Sequence, residues 1–224
     1  MDIGYGRAMS WHDDECKGRK GYHHGNLREA LVRAALKLIA EKGPAGFTFA
    51  EAARAAGVSP AAPYRHFRDR DALMADVARR GFEAFAADLE AAWDKGRPAP
   101  RPSFDRVGRA YLDFARREPA LFAAMFESGL CPSVAPEVRD AGDRAFGVLR
   151  AACEAVVGTL PAKGRPPALM MALHIWSLAH GIAALFARGD GARRPIPMTP
   201  EELLESAVLI YLSGIDRAAG GGAA

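Results

Sequence analysis

The sequence predicts an all-α protein, with a small three-helix unit near the N-terminus and a larger helical domain after it. Apolar residues recur at three- and four-residue spacing through most of the 224 residues, and no stretch alternates apolar and polar residues for long enough to predict a strand. A Ser, Thr or Asn followed three residues later by Glu marks several helix starts. Hydrophobic residues make up 50% of the chain, which excludes an intrinsically disordered protein and suffices for a packed core.

The first predicted helix begins after Asn26, a favourable N-cap residue, and Glu29 completes a capping box there. Apolar residues then recur at helical spacing until the pair Gly43-Pro44, which ends the helix.

The second and third predicted helices are short. Thr48 and Glu51 form another capping-box pair, and Gly57 ends the second helix. Ser59 is the predicted N-cap of the third helix, with Pro60 at its first position, where the missing N–H removes no helical hydrogen bond. Two short helices joined by a glycine turn are typical of a helix-turn-helix unit.

The larger domain begins with a long fourth helix, predicted from Asp69 to Lys95 and followed by a break at Gly96–Pro102. Further helices are predicted near 103–117, 119–127, 136–159 and 168–187, and from Thr199 onward. We therefore divide the chain into a flexible basic-ended arm (1–21), a helix-turn-helix domain (22–70), a larger helical domain (71–217) and a disordered tail (218–224).

The net charge of +3 conceals an uneven distribution. Residues 17–70 carry eleven Lys/Arg and four Asp/Glu, a net charge of +7, whereas residues 1–16 and 71–95 each carry −3. Such clustering favours a polyanion as the partner, although a solvated basic surface is the alternative. Together with the helix-turn-helix pattern it favours DNA, because the second helix of such a unit can lie in the major groove.

Residues 22–75 resemble the TetR family of bacterial transcriptional regulators. The matching elements are LREALVRAALKLIAEKG (27–43), Thr48, the turn AGVS (56–59), and YRHF followed by RDRDAL (64–73). The resemblance implies that phosphates are contacted by Thr48, Ser59, Tyr64 and His66, that Arg70 occupies a phosphate-binding Lys position, and that bases are faced by Ala61 and Arg65. The predicted DNA-binding set also contains Lys20 and Arg28.

Pro63 departs from the family pattern, which usually has an inward-packing aliphatic residue at this position. Because proline has no backbone N–H, one early hydrogen bond of the third helix is lost. The sequence therefore does not fix where that helix starts or how its face packs.

The basic segment Lys17–Gly25 precedes the first helix. It has two interpretations: an arm that touches phosphates or enters the minor groove, or a disordered solubilising tail.

Helix 168–187 is apolar nearly all round, so we expect it to be buried on more than one side. It is long enough to span a membrane, but His174, Ser177 and His180 interrupt it, and we expect no membrane partner. The final helix is also too apolar for a lone surface helix, so these two helices from each of two chains are predicted to form a four-helix dimer interface. The predicted interface residues are Leu178, Ile182, Leu204, Val208 and Tyr211.

The segments YLDFARREPALFAAMF (111–126) and HIWSLAHG (174–181) resemble a TetR-family branch with a Trp–His–Gly signature, here Trp176, His180 and Gly181. This resemblance implies that domain 71–217 dimerises and binds a small-molecule effector. Aromatic, Met and His side chains can line such a pocket, although a filled core is the alternative. The predicted ligand-binding residues are Phe114, Phe122, Met125, Phe126, Met170, Met171, His174 and Trp176.

The motifs of several enzyme classes are missing from the sequence: it has no phosphate-binding Gly-rich loop, no H-E-x-x-H and no G-x-S-x-G. Its three cysteines show no C-x-x-C spacing, and Cys16 with His12, His23 and His24 matches no standard zinc site. We therefore expect no enzyme activity, no cofactor and no metal. The first twenty residues lack an apolar signal-peptide core, so we expect a cytoplasmic location.

The predicted function is that of a sequence-specific regulator: a homodimeric repressor that binds a palindromic operator in double-stranded DNA and is released by a small, mostly apolar ligand. The first alternative is a constitutive DNA-binding regulator whose C-terminal domain only dimerises. The others are an enzyme using His174 and His180, which no recognisable nucleophile supports, and a helical protein-interaction module, which the clustered positive charge disfavours.

Overall fold

The computed structural model describes residues 27–130, 135–162, 165–187 and 196–220 of the chain. Within these residues it contains eight α-helices, two short 3₁₀ helices and no strand, which confirms the predicted all-α class. The α-helices are α1 (Leu27–Lys42), α2 (Phe49–Ala55), α3 (Arg70–Trp93), α4 (Pro100–Arg117), α5 (Pro119–Phe126), α6 (Pro136–Thr159), α7 (Ala168–Ala187) and α8 (Pro200–Gly220), and the 3₁₀ helices are Ala62–Arg65 and Asp94–Gly96. We call α1, α2 and the 3₁₀ helix Ala62–Arg65 the head, and α3 to α8 the body.

Side-chain caps fix the starts of three helices, α2, α3 and α8, the last through a capping box of Thr199 and Glu202. The Thr48 hydroxyl accepts a hydrogen bond from the Glu51 backbone N–H (3.2 Å), and the Thr48 N–H donates to the Glu51 carboxylate (2.8 Å), so the predicted capping box of α2 is confirmed. Asp69 caps α3 by accepting a hydrogen bond from the Ala72 N–H at 2.8 Å. Asn26, the predicted cap of α1, lies outside the described residues.

The break after α3 is shorter than predicted. Asp94, Lys95 and Gly96 all have positive φ, at 42°, 53° and 77°, and this left-handed turn ends the helical path. α4 then begins at Pro100 rather than near residue 103. Prolines at the first positions of a helix remove only N–H groups that would have no helical partner, which is why the helix starts within the Pro-rich segment.

α3 is the central helix of the protein. It packs against α1 of the head and against α4, α5 and α6 of the body, so it contacts both parts. Gly81 on α3 allows α5 to approach closely, since a Cβ at this position would lie 2.8 Å from Sδ of Met125. A single rigid helix therefore connects the head to the interior of the body.

α7 is a partly buried helix that contacts α4, α6 and α8. By length and composition it could cross a membrane, and 33% of its most apolar window is buried within the protein. α8 continues to Gly220, past the predicted start of the tail at residue 218. The predicted arm (1–21) and residues 221–224 lie outside the described residues.

Candidate nucleic-acid interface and ligand cavity

The turn after α2 has the geometry of a glycine-terminated helix. Gly57 has φ = 74°, as predicted for this turn, and its N–H donates to the Arg54 carbonyl at 3.0 Å. The Val58 N–H reaches back to the Ala53 carbonyl, also at 3.0 Å. These two bonds form a Schellman motif, which requires the left-handed conformation that glycine adopts without steric cost.

The third helix of the head is shorter than predicted, and its predicted N-cap is wrong. The structure has a single 3₁₀ turn, Ala62–Arg65, whose N-cap is Ala61 without a side-chain hydrogen bond. Pro63 explains the difference, because it has no N–H to donate to the Ser59 carbonyl. The Ala62 N–H donates to that carbonyl instead, at 3.0 Å, in the tighter 3₁₀ pattern. Pro63 is itself fully buried and so fills the inward-packing position.

The head exposes most of the predicted DNA-contacting side chains. Tyr64 is 63% exposed and stands edge-on against Phe49, with ring centroids 5.1 Å apart. Ser59, Ala61, Arg65 and His66 are exposed in the same short segment. None of these side chains is required for the head's core, so the segment 59–66 presents a surface for a partner.

Thr48 binds Glu51, the capping-box partner that the sequence predicts. Its hydroxyl lies 3.1 Å from the Glu51 carboxylate, which also accepts a hydrogen bond from Lys42 at 2.7 Å. The Lys42 hydrogen bond, together with those from the Thr48 backbone and hydroxyl, lowers the pKa of Glu51 to about 2. Thr48 and Lys42 are therefore tied to one carboxylate at the start of α2.

Arg70 and Arg28, predicted to bind DNA, both have partners within the protein, although the Arg28 side chain is 49% exposed. The Arg70 guanidinium donates to the Phe47 carbonyl at 2.9 Å and to the Pro44 carbonyl, and it lies 4.8 Å from the centre of the Phe47 ring. Arg28 lies 4.9 Å from the Phe67 ring centre and pairs with a carboxylate of α3. Both arginines thus hold the head together, a role beyond the predicted phosphate contact. Lys20 lies outside the described residues.

We expect Arg70→Lys to lower the free energy of unfolding by about 1–2 kcal/mol, because a lysine lacks the planar guanidinium that donates to two carbonyls while it lies over the Phe47 ring. The charge is kept, so a direct phosphate contact would survive. Urea unfolding measures the first effect and binding to non-specific DNA the second. Arg68→Lys is the matched control, since Arg68 is 81% exposed, and we expect a change below about 0.5 kcal/mol for it. Equal stability of the two variants would contradict the anchoring role of Arg70.

A buried carboxylate joins α1 to α3. Asp76 of α3 is 5% exposed and accepts hydrogen bonds from Arg28 (2.8 Å), Arg79 (3.0 Å) and Arg80 (2.9 Å). Burial alone would raise the pKa of Asp76, but the hydrogen bonds from Arg28 and Arg79 hold it below its ordinary value. Arg80 also binds both carboxylate oxygens of Glu29 on α1, at 2.7 and 2.5 Å.

The ion pairs continue along α3 toward the body. Arg79 binds Glu83 at 2.7 Å, and the same carboxylate lies 3.6 Å from Arg144 of α6. An unbroken set of charged contacts therefore runs from α1 through α3 to α6. This set of ion pairs cannot be predicted from the sequence, because it depends on which faces of three helices meet.

The body contains a cavity of about 460 Å³ between α3, α4, α5, α6 and α7. This volume lies within the range of small-molecule sites. Its aromatic lining residues are Phe82, Phe85, Tyr111, Phe126, Phe146 and Trp176. The charged residues on its lining are Arg139 and Asp143, both on α6.

The predicted ligand-binding set only partly coincides with this cavity. Met125, Phe126 and Trp176 line it. The remaining members lie elsewhere: buried in the core are Phe114, Phe122 and Met171, and exposed on α7 are Met170 and His174. The contributions of α3 and α6 do not follow from the sequence, because the amphipathic pattern of a helix does not show which helix faces it across a void.

Three polar side chains of the Trp–His–Gly region satisfy one another at the cavity wall. The Trp176 indole N–H donates to the Tyr111 hydroxyl at 3.2 Å, and that hydroxyl lies 3.0 Å from Nδ1 of His180. Burial lowers the pKa of His180 and raises that of Tyr111, which favours the neutral form of both. His174 instead pairs with Tyr211 of α8 at 3.2 Å, so the two histidines do not form a joint site.

The predicted dimer residues fall into two groups. Ile182, Leu204 and Val208 are buried within the protomer, so they contribute to its own core and this part of the prediction is corrected. Leu178 and Tyr211 are partly exposed. The large apolar side chains exposed on α7 and α8 are Leu169, Met170, Leu173, Leu185, Leu209 and Ile210.

The described residues include no group of three or more His, Cys, Asp or Glu that could hold a metal ion. Cys153 is fully buried, and burial raises the pKa of its thiol to about 12, so it stays protonated and unreactive at neutral pH. The other cysteines and His12, His23 and His24 lie outside the described residues.

Two family models match the chain. The model of bacterial regulatory proteins of the tetR family matches residues 31–77, and the model of the tetracyclin repressor-like C-terminal domain matches residues 104–210. Together they cover more than half of the chain.

Solved structures and a curated protein agree with these matches. A protein of unknown function from Rhodococcus sp. RHA1 is 31% identical, with a TM-score of 0.71, and the match covers 88% of this chain and 98% of that one. PfmR, a TetR family transcriptional regulator from Thermus thermophilus, is 21% identical with a TM-score of 0.62, over 84% and 96% of the two chains, and shows the shared fold. The HTH-type transcriptional regulator BetI of Rhizobium meliloti (strain 1021) is 42% identical over 52 residues, 23% of this chain and 26% of that protein's length.

Proposed function

Since this chain belongs to the TetR family and is a transcriptional regulator with an N-terminal DNA-binding domain, we propose that it is a repressor released from its operator by a small, mostly apolar ligand. We further propose that it acts in the cytoplasm as a homodimer on a palindromic operator, and that its C-terminal domain belongs to the Trp–His–Gly branch. The TetR family consists of regulators rather than enzymes, so no catalytic role is assigned.

The DNA-binding role is supported by the exposed segment 59–66 and the surrounding positive charge. Arg65 and Tyr64 are exposed beside the glycine turn that ends α2. The segment 17–70 carries a net charge of +7, which favours a polyanion. Binding should weaken steeply with salt, with a log–log slope of about −0.9 for each phosphate neutralised.

The homodimer is supported by the apolar surface of α7 and α8. Ile210 is 72% exposed, and Leu209 of α8 and Leu169 of α7 are also largely exposed. Exposed large apolar side chains on two neighbouring helices are costly in water, and a second copy would cover them by pairing the same two helices. Two heads would then face two half-sites about one helical turn of DNA apart.

The single observation that carries the release mechanism is the position of α3. Phe82 and Phe85 of this helix line the cavity, and Asp76 and Arg80 of the same helix bind α1 of the head. A ligand in the cavity that favours another position of α3 would therefore turn the head. It can shift the equilibrium only as far as its affinities for the two positions differ.

The cavity also bears on the constitutive alternative. A filled core would favour a C-terminal domain that only dimerises, whereas an open volume of about 460 Å³ leaves room for an effector. The experiment that decides is footprinting on the DNA that flanks the protein's own gene, repeated with a panel of small apolar compounds. We expect protection of a palindrome and its loss with one class of compound.

We expect Gly142→Leu to bind this operator normally but to lose the response to the compound that releases the wild type. Gly142 lines the cavity, and a Cβ at this position would lie 3.6 Å from Phe82, an ordinary contact, so a side chain can start here and extend into the open volume. Gly147→Leu is the matched control on the same helix, because nothing lies within 4 Å of its added Cβ. An inducible Gly142→Leu protein would show that the effector binds elsewhere.

A further inference from the structure

The inner wall of the cavity offers a ligand little to hydrogen-bond. The Tyr111 hydroxyl already accepts a hydrogen bond from Trp176 and contacts His180. No buried side-chain nitrogen or oxygen among the described residues lacks a hydrogen-bond partner. The body of any ligand that enters must therefore be apolar, because a polar group there would lose water without gaining a partner.

The charged groups at the cavity are not equivalent. Arg139 is already bound to Asp140, with donor–acceptor distances of 3.0 and 3.2 Å, and the neighbouring Arg144 pairs with Glu83 at 3.6 Å. Asp143 lines the cavity, is solvent-exposed, and has no ion pair or hydrogen bond within the described part of the chain. The basic side chains nearby are thus engaged, while one carboxylate is free.

Aromatic rings line the same cavity as this free carboxylate. Phe82 of α3 packs against α6 at Gly142, the residue next to Asp143. Phe146 lies three residues after Asp143, on the same side of α6, and its ring packs 5.5 Å from that of Trp176. Aromatic faces attract a cation, and a carboxylate adds direct Coulomb attraction.

We infer that the cavity selects lipophilic monocations: molecules with an apolar, preferably aromatic, body and one ammonium group that pairs with Asp143. This inference rests on the proposed role of the cavity as the effector site and names the chemical class of that effector. The apolar body lies against Tyr111 and Trp176, and the ammonium group lies at the mouth, where the free carboxylate neutralises it.

The test compares three probes with the same phenylbutyl body: the 4-phenylbutyl-trimethylammonium ion, its neutral carbon isostere in which a tert-butyl group replaces the trimethylammonium group, and the carboxylate 5-phenylpentanoate. Quenching of tryptophan fluorescence and calorimetry measure their dissociation constants on the full chain. We expect the cation to bind about 5- to 30-fold more tightly than the neutral isostere, and the carboxylate to bind most weakly.

Asp143→Asn should remove the preference for the cation while leaving the affinity for the neutral isostere within about twofold of the wild type. Asp143 is exposed and unpaired, so this substitution does not threaten folding. Glu137→Gln is the matched control, because Glu137 is an exposed acid of the same helix that does not line the cavity, and it should keep the preference.

The outcomes separate this inference from the proposed function. Equal or tighter binding of the neutral isostere or of the carboxylate, a preference that survives in Asp143→Asn, or no binding of any probe would overturn the assignment of a cation. Selective binding of the cation without any change in operator affinity would support the ligand class and count against the release mechanism. Release of the operator by neutral compounds alone would support the release mechanism and count against a cation as the ligand.

Discussion

Replacing Arg65 with Ala is expected to lower the affinity for the operator by about 10- to 100-fold and to relax the preference at one base position, because one good base contact contributes about 1–3 kcal/mol of discrimination. Arg65 is exposed in the segment 59–66, so the variant should fold like the wild type. Fluorescence anisotropy with the operator and with single-base variants measures both effects. Arg116→Ala, which removes an exposed arginine of the body, is the control and should leave DNA binding unchanged.

Tyr64→Phe complements this experiment. The ring contact with Phe49 at 5.1 Å is kept while the hydroxyl is removed, so any loss reports the hydroxyl alone. We expect all DNA sequences to bind more weakly by a similar factor, about fivefold, since a phosphate contact carries no sequence information. Unchanged binding by both Arg65→Ala and Tyr64→Phe would contradict the assignment of segment 59–66 to DNA.

Asp76→Asn is expected to lower the free energy of unfolding by about 3 kcal/mol. The side chain of Asp76 is 4% exposed and faces three arginines, so removing its charge leaves three guanidinium groups without their shared counter-ion in a partly buried place. Asp113→Asn is the control, because Asp113 pairs with Arg116 at the surface and should cost less than about 1 kcal/mol. Urea unfolding of the two variants measures the difference.

The same group gives a dependence on pH. The pKa of Asp76 is lower in the folded protein than in the unfolded chain, so folding favours its charged form and this carboxylate stabilises the protein above the unfolded pKa of about 3.9. The stabilisation is lost as the pH falls from there through the folded pKa. The stability difference between the wild type and Asp76→Asn should therefore be constant near pH 7 and shrink below about pH 4. A difference that grows on acidification would show instead that the pKa of Asp76 is higher in the folded protein than in the unfolded chain.

Asp76 also connects stability to function. Because Arg28 and Arg80 bind it from two directions, Asp76→Asn should loosen α1 relative to α3 even where the protein remains folded. The response to an effector should then weaken more than binding to DNA does.

Local signals predicted most of the fold correctly, because they act over a few residues. The capping box of Thr48 and Glu51 and the left-handed Gly57 depend only on neighbouring backbone, and the structure has both. The third helix was predicted less well. Pro63 was recognised as a departure, but only the structure shows that the segment closes as one 3₁₀ turn with Pro63 in the core.

The site residues show where sequence reasoning ends. Ile182 and Val208 were predicted at the dimer interface, but they are buried within the protomer, because apolar periodicity does not distinguish the two sides of a doubly apolar helix. Arg70 matched a phosphate-binding position, yet its guanidinium binds loop carbonyls that lie 23 and 26 residues away in the chain. Such contacts follow from the packing of helices rather than from spacing within one helix.

The sequence by itself determined that this protein is all-α, that its positive charge is concentrated in residues 17–70, and that a helix-turn-helix has Gly57 in its turn, with Tyr64 and Arg65 after it. Periodicity, caps and charge are local properties, so the chain alone carries them. Only the tertiary structure decided that α3 lines the cavity and also binds the head, and that Asp143 is the unpaired carboxylate of the cavity. A cavity and an unpaired charge depend on how several helices pack together, so no single segment of the sequence predicts them.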